Sequence, residues 1–432
     1  MNGATDTIFA VASGAGRAAI TVLRLSGPAS GGLLDCLCRP RPAPRVASLR
    51  ALREPGSELL DRALVLWLPG PGSYTGEDSA ELHLHGGRAV LDGVTDALVR
   101  GGARPAEAGE FTRRAFLNGR MDLLEAEAIA DLVAAETGAQ RRQALRQLDG
   151  ALGSLYRGWT ERLTRLLAQQ EALIDFPDED LPPATETAML CDIATIRGQI
   201  AAHLDDGRRG EKLRDGLVIA VTGAPNVGKS TLINALAGRE VAIVSPQPGT
   251  TRDVLEARVV IGGVPVTLLD TAGLRETADP VEAEGVRRAR ARAADADLLV
   301  VVRDGIATDT ALPPGASAVG VANKADLGPV CEAADVAVSA LTGAGMDTLR
   351  ERLEREVRRL ADVAGPPALT RARHRAGLVE AAEWLARASD ADLPELRGEA
   401  LRAALHGIGR VTGRVGTEAV LDAVFSQFCI GK

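Results

Sequence analysis

Gly223-Ala224-Pro225-Asn226-Val227-Gly228-Lys229-Ser230 fits the phosphate-loop pattern Gly-x-x-x-x-Gly-Lys-Ser/Thr at every specified position. The apolar run before it, Leu217-Val218-Ile219-Ala220-Val221, reads as a buried parallel strand. Thr231-Leu232-Ile233-Asn234-Ala235-Leu236-Ala237 reads as a helix ending at Gly238. Strand, glycine loop and helix in that order predict an α/β domain with a phosphate site at the start of the helix. The glycines let backbone N–H groups turn toward an anion at the positive end of the helix dipole. Asn226, Val227, Gly228 and Thr231 belong to the same turn, Lys229 is spaced to reach the β- and γ-phosphates, and Ser230 to hold Mg²⁺.

Working outward, Gly249-Thr250-Thr251-Arg252-Asp253 follows, and then the apolar strand Val266-Thr267-Leu268-Leu269 runs into Asp270-Thr271-Ala272-Gly273. Asp270 is expected to hold the metal through water, and the Gly273 N–H to meet the γ-phosphate. Thr251 can close over the metal only while that phosphate is present, which makes a switch. Further on, Val319-Gly320-Val321-Ala322 leads into Asn323-Lys324-Ala325-Asp326. A carboxylate at Asp326 can accept from guanine N1–H and the 2-amino group, a pair that adenine does not present. The stem of Lys324 would cover the base, and the segment around Ser339 and Ala340 would supply a backbone N–H to guanine O6. Four motifs in this order predict GTP binding. Leu274 follows Gly273, where a Ras-like protein carries a glutamine that orients water, so hydrolysis must recruit another polar group.

At 432 residues the chain has room for about three domains. It is 46% hydrophobic and 25% charged, a composition that predicts a soluble globular protein. No apolar run approaches the ~20 residues of a membrane span, and no secretory leader is visible at Met1-Asn2-Gly3. Five scattered cysteines form neither a disulfide framework nor a zinc pattern, so a cytoplasmic location is expected. A net charge of −8 argues against coating nucleic acid by bulk electrostatics. Arg113-Arg114, Arg141-Arg142 and Arg287-Arg288 leave local contacts open, although each also reads as a solvated helix face. Of 50 basic residues only Lys212, Lys229, Lys324 and Lys432 are lysine. Two of these four stand in nucleotide motifs, where a compact ammonium and a guanidinium are not interchangeable.

Residues 1–118 read as a small α+β unit. Its strands are expected at Thr7–Val11, Ala18–Leu25, Ala63–Leu68 and Ala80–Leu84, and its helices at Gly31–Cys38 and Arg88–Arg100. From Met121 to Phe176 the pattern is helical. Leu145, Leu148, Leu152, Leu155, Trp159, Leu163, Leu166 and Leu173 recur like the buried stripe of one long helix, although Gly150, Gly153 and Gly158 each weaken it by roughly 1 kcal/mol relative to Ala. A break follows at Pro177–Pro183, then a helix over Glu186–Gly207. The nucleotide domain runs to about Leu360, and helices are expected at Arg371–Ser389, Leu396–His406 and Thr417–Phe428. Helices on both sides predict that the nucleotide domain is inserted into a helical one.

His83 and His85 alternate on a strand and lack a third metal ligand, so they read as a packed strand end. Cys36 and Cys38 read as parts of a buried helix turn. The ending Phe428-Cys429-Ile430-Gly431-Lys432 is not a prenylation box, and it leaves Cys429 open as a reactive or a structural thiol.

Several segments together resemble a family. They are Asp6-Thr7-Ile8, Leu23-Arg24-Leu25-Ser26-Gly27, Ser73-Tyr74-Thr75-Gly76-Glu77-Asp78, His85-Gly86-Gly87, Gly109-Glu110-Phe111-Thr112, Ala115-Phe116-Leu117-Asn118-Gly119-Arg120 and the terminal Phe428–Lys432. Over essentially its whole length the chain resembles the MnmE (TrmE) family of bacterial tRNA modification GTPases. The resemblance implies a multidomain α+β and α/β protein. It has an N-terminal α+β folate-binding and dimerisation domain (1–118), a discontinuous helical domain (119–214 and 363–432) and an inserted Ras-like P-loop GTPase domain (215–362). It implies a homodimer that works with the FAD-dependent protein MnmG, in a heterotetramer or larger complex, on tRNA. The reaction adds a carboxymethylaminomethyl or aminomethyl group to C5 of the wobble uridine. The one-carbon unit comes from a tetrahydrofolate derivative (5,10-methylene- or 5-formyl-), and GTP hydrolysis gates the reaction.

The matching folate positions are Arg24, Glu81, Arg120 and Lys432. A glutamate can accept paired hydrogen bonds from a pterin ring, and cations suit the anionic folate tail. The resemblance also implies a K⁺ ion held by Asn226, Ser245, Gln247 and Thr250, and Glu282 as the residue that orients water. Arg120 stands where many relatives have Lys and keeps the charge. Thr412-Gly413-Arg414-Val415-Gly416 departs from an acidic pattern. Two other functions fit part of these features: a ribosome-assembly or RNA-chaperone GTPase switch, and a folate-dependent one-carbon enzyme that GTP only regulates.

Overall fold

The structure is a computed structural model that describes residues 6–14, 16–54, 58–175, 183–238, 256–270, 295–304, 317–328, 334–361, 367–414, 418–426, 428 and 431. The chain divides into two compact units, Met1–Ala130 with Gly409–Lys432, and Asp131–Ile408.

The first unit is built on a six-stranded sheet. Its elements are β1 (Ile8–Val11), β2 (Ile20–Ser26), α1 (Ser30–Leu37), β3 (Ser48–Arg53), β4 (Leu59–Leu68), β5 (Ser79–His85), α2 (Arg88–Arg100), β6 (Arg104–Pro105), α3 (Glu110–Leu117) and α4 (Leu123–Ala134). The strand order is β3-β4-β5-β2-β1-β6, antiparallel except for β1 with β6. Alternation sends Leu23, Leu25, Leu82, Leu84 and Val65 to one face, where they meet Leu33, Leu34 and Leu37 of α1 and Val94 and Leu98 of α2. The opposite face carries Arg24, Glu81 and His83, with Ile20, Leu49 and Leu64 exposed.

The expected strands and helices of this unit are present. β3 and β6 were not anticipated, and β4 begins four residues before the expected Ala63. Cys38 is buried as expected, but Cys36 is exposed, because the two lie on different sides of the chain as α1 ends. The last helix, α13 (Glu418–Phe425), belongs to this unit. Its Leu421, Val424 and Phe425 join Leu123, Ala126 and Phe428 in a small core. α3 starts at Gly109 (φ +69°), where an added Cβ would stand 2.5 Å from Phe425 O, so only glycine permits that closeness.

The second unit holds a sheet of β7 (Leu217–Thr222), β8 (Glu256–Ile261), β9 (Val264–Asp270), β10 (Leu298–Asp304), β11 (Ala318–Asn323) and β12 (Val336–Ala337). Their order is β12-β11-β10-β7-β9-β8, parallel except at β8. Runs such as Leu217, Ile219 and Val221 are buried, as expected for a sheet covered by helices. Helix α9 (Lys229–Ala237) follows β7, and α10 (Met346–Ala361) buries Leu349, Leu353 and Val357 against the same core.

The helical elements of this unit are α5 (Gly138–Leu148), α6 (Ala151–Asp175), α7 (Pro183–Leu204), α8 (Arg209–Asp215), α11 (Ala372–Asp390) and α12 (Pro394–Thr412). The expected single long helix through 145–173 is two helices. Gly150 takes φ +81° and breaks it, while Thr137 and Gln140 form a capping box that starts α5. Leu152, Trp159, Leu163 and Leu166 are buried as the stripe required, but Leu145 is 40% exposed because it belongs to the other helix. α12 outruns the expected His406 because Ile408 and Val411 continue the buried stripe of Leu401 and Ala404.

Candidate functional site

The phosphate loop leaves β7, the strand at which the sheet order reverses: β9 lies on one side and β10 on the other. This is the crevice position at which open α/β sheets bind ligands. The turn is tight. Gly223 has φ +147°, and an added Cβ would stand 2.1 Å from Val302 O. Gly228 has φ +92°, with Asn323 Nδ2 at 2.3 Å from the same imagined atom. Asn226 itself sits at φ +62° and is exposed.

Lys229, the first residue of α9, is 5% exposed. Its Nζ donates to Gly223 O at 2.9 Å and Ala224 O at 2.8 Å, which points the ammonium into the cradle of the loop. Ser230 Oγ donates to Asp270 Oδ2 at 2.5 Å, so the hydroxyl from the helix start meets the carboxylate from the end of β9. Two hard oxygens side by side at a phosphate loop suit Mg²⁺. Val227 is buried in the sheet core, while Thr231 is exposed.

At the base end, Asn323 joins two loops. Its Nδ2 donates to Val227 O at 2.8 Å, and its Oδ1 accepts from Ala340 N at 3.0 Å. Lys324 (φ +62°) pairs through Nζ with Asp304 Oδ2 at 3.0 Å. Asp304, the last residue of β10, therefore supplies the lysine's partner. Asp326 is exposed, and Ser339 is buried, with its hydroxyl accepting from Thr342 N at 3.2 Å.

In the first unit the register of β2 and β5 sets Arg24 opposite Glu81. Arg24 Nε and Nη2 donate to Glu81 Oε1 at 3.0 and 2.9 Å, and the guanidinium lies 5.4 Å from the Tyr74 ring centre and 5.9 Å from that of Phe111. His83, two residues along β5, brings Nε2 to 3.7 Å from Glu81 Oε2. That nitrogen is buried without a hydrogen-bond partner. Arg120 packs against the 73–78 loop, its Cγ 3.2 Å from a Cβ imagined on Gly76, and Asn118 Nδ2 donates to Thr75 O at 2.7 Å. Gly431 (φ +104°) lies on Val11 O, 2.1 Å from its imagined Cβ. Arg24, Glu81 and Arg120 thus belong to one folded unit, and the neighbours Tyr74, Phe111 and His83 were not singled out with them. Pairing β2 with β5 in the right register would have pointed to Arg24, Glu81 and His83, but not to Tyr74, Phe111 or Arg120.

His85 Nδ1 meets Asp61 Oδ1 at 2.7 Å, but its ring is 71% exposed, so His85 is not packed at the strand end as expected. Burial alone would raise the Asp61 carboxyl, but its hydrogen bonds to the His85 and Arg62 backbone and the His85 ring hold it below the usual range. Among the described residues no group of three or more His, Cys, Asp or Glu could hold a metal. Ser245, Gln247, Thr250, Thr251, Thr271, Ala272, Gly273, Leu274, Glu282, Cys429 and Lys432 lie outside the described residues.

A phosphate loop after the central strand, an aspartate at the neighbouring strand end and an Asn-Lys-x-Asp strand end define a P-loop GTPase. Residues 7–120 match the family described as GTP-binding protein TrmE N-terminus, and residues 123–429 match the MnmE helical domain. The tRNA modification GTPase MnmE of Gluconacetobacter diazotrophicus is 61% identical over 98% of each chain. That of Granulibacter bethesdensis is 56% identical over 99% of each. Among solved structures, the FeoB G domain of Methanococcus jannaschii is 27% identical over 33% of this chain and 98% of its own, with a TM-score of 0.25. The chain belongs to the tRNA modification GTPase MnmE family, and is a GTPase that acts in tRNA modification. Among the described residues no helix is long and apolar enough to cross a membrane.

Proposed function

We propose that this GTPase is stimulated by K⁺ and works in the cytoplasm as a homodimer with the FAD-dependent protein MnmG, in a heterotetramer or larger complex. The pair adds an aminomethyl or carboxymethylaminomethyl group to C5 of the tRNA wobble uridine, with methylenetetrahydrofolate as the one-carbon source. The observation that carries this reading is the Arg24–Glu81 pair on the open face of the N-terminal sheet. Arg24 holds one carboxylate oxygen and fixes the other for a ring that offers N–H donors. Tyr74 and Phe111 give an aromatic wall, and Arg120, with Lys432, supplies charge for an anionic tail. When bound, tetrahydrofolate supplies the one-carbon unit. Exposed Ile20, Leu49 and Leu64 on the same face suit a second copy of the chain.

On the nucleotide side, Asn226–Thr231 cradle the phosphates, with Thr271, Ala272 and Gly273 at the γ-phosphate. Asn323, Lys324, Asp326, Ser339 and Ala340 serve guanine. Ser230, Thr251 and Asp270 (through water) hold Mg²⁺, which neutralises phosphate charge when bound. Asn226, with Ser245, Gln247 and Thr250, holds K⁺, which supplies a fixed positive charge. Glu282 orients the attacking water, a task Leu274 cannot perform. Cys429 is assigned as a reactive thiol. The same reading divides the chain into domains at 1–118, 119–214, 215–362 and 363–432.

Purified protein is expected to hydrolyse GTP faster in K⁺ than in Na⁺. Glu282→Ala should lower turnover by about 10²-fold or more while GTP affinity stays. Equal rates in the two salts would remove the K⁺ assignment. Nucleoside mass spectrometry of tRNA from a deletion strain should lose the C5-modified wobble uridine, and a normal profile there would favour the ribosome-assembly switch.

A further inference from the structure

The nucleotide-binding part is entered through α8 and left through residues 367–371, and these two crossings lie against each other. A Cβ on Gly210 would stand 2.2 Å from Leu369 O and 2.8 Å from the Ala368 methyl, so glycine is what lets them touch. One face of α5 grips both. Gln140, Gln143 and Gln147 are three and four residues apart and share a stripe. Gln140 Nε2 donates to Arg214 O at 3.0 Å, and Gln143 Nε2 to Gly210 O at 3.0 Å. Gln147 Oε1 accepts from Thr370 Oγ1 at 3.0 Å. Asp131 Oδ1 completes the grip, accepting from Arg214 Nε at 3.1 Å on the entry side and from Arg371 Nη2 at 2.7 Å on the exit side.

Leucine or alanine in this stripe would leave Arg214 O and Gly210 O without these donors. Here Gln143 and Gln147 are 8% and 4% exposed, and Gln143 Oε1 is buried with no hydrogen-bond partner. α5 is also bordered by solvent-open clefts. Clefts of about 120, 630, 190 and 170 Å³ each have α5 residues in their walls. Close-packed apolar surfaces resist sliding. Amide bonds worth about 1 kcal/mol net each, beside free volume, can exchange partners.

We propose that α5 is the shear element that couples nucleotide state to tRNA modification. The glutamine stripe and Asp131 hold entry and exit as a pair and change register against them between the GTP and GDP forms. Asp131, Gln143 and Gln147 are then positioning residues for modification and take no part in hydrolysis. This takes from the family only that a GTPase serves tRNA modification, and is independent of K⁺, folate and MnmG.

Hydrogen exchange on the full chain, with GDP and with a non-hydrolysable GTP analogue, reads the motion directly. Amide protection in residues 138–148 is expected to differ between the two states by about tenfold. Equal protection overturns the proposal. Asp131→Asn should keep GTP turnover within about twofold, lose the exchange difference, and lower tRNA modification in a complemented deletion strain by about tenfold. Arg371→Lys, which keeps the charge on Asp131, should retain modification. If Asp131→Asn does not fold by thermal melting, Gln143→Leu with Gln147→Leu carries the same expectations. Turnover and modification falling together would mark a merely structural role, and unchanged modification would remove any role.

Discussion

Asn323 is where the phosphate end and the base end of the nucleotide site meet. Its amide satisfies Val227 O and Ala340 N at once, and it is 3% exposed. Asn323→Asp keeps the shape but sets an acceptor against the Val227 carbonyl. That change is expected to destabilise the second unit by about 1–3 kcal/mol and to weaken GTP binding by about tenfold or more. Thermal melting and titration with a fluorescent GTP analogue measure the two effects, and an unchanged affinity would separate Asn323 from the site. Asp304→Ala should behave differently. The Lys324–Asp304 pair is partly exposed, with 33% and 39% of the side-chain areas accessible, so its loss should change stability by less than about 1 kcal/mol. The sequence marks Asn323 and Lys324 through their motif, but not their partners. Val227 O, Ala340 N and Asp304 come from three other segments, which only the sheet order β12-β11-β10-β7 brings together. Glu81 was likewise legible as a residue type, whereas its contact with Arg24 depends on strand register.

Elements carry their own electrostatics. Glu110 in the first turn of α3 accepts from Arg104 Nη2 at 2.6 Å and Arg114 Nη2 at 2.9 Å, and both arginines also bond Asp6. Burial alone would raise the Glu110 and Asp6 carboxyls, but the arginine bonds outweigh it and hold both below their ordinary range. A carboxyl depressed in the folded state contributes stability above its unfolded pKa of about 4 and loses it as pH falls through the folded value. The first unit should therefore melt progressively lower as pH drops below about 5. Arg104→Gln should flatten that dependence and lower stability at neutral pH by roughly 1 kcal/mol, a modest figure because Arg104 is 43% exposed. Circular dichroism melts across pH 3–7 provide the check (range chosen to bracket the carboxyl values). Most elements were legible from period alone. β3 was not, because Ser48-Leu49-Arg50-Ala51-Leu52-Arg53 puts Leu49 on the open face and Leu52 in the core, so its pattern never alternates cleanly. The stripe through 145–173 misled for the opposite reason: Gly150 resets the helix without interrupting the leucine spacing.

At the scale of the whole molecule, insertion of an α/β domain between helical segments was readable, because buried strands begin sharply at Leu217 and the helix Met346–Ala361 that packs on them closes the domain before helices resume at Ala372. The return of the chain's last helix to the first unit was not readable, since the pairing of α13 with α3 and α4 rests on Gly109 and Phe425 meeting across the fold. The two compact units have separate apolar cores, one centred on Leu23, Leu82 and Leu98 and another on Ile219, Leu232 and Val300. Chains with more than one core commonly depart from a single two-state transition. A ligand that binds only one native unit stabilises that unit by about 2.7 kcal/mol at a hundred times its Kd. For units of this size such a gain raises the midpoint by roughly 5–10 °C. Calorimetry of the full chain is therefore expected to give two transitions. A GTP analogue should move only the one belonging to Asp131–Ile408, and 5-formyltetrahydrofolate should move only the other. If one ligand moves both transitions, the units are energetically linked in the absence of tRNA, and nucleotide state already reaches the sheet face that carries Arg24 and Glu81 without a further partner.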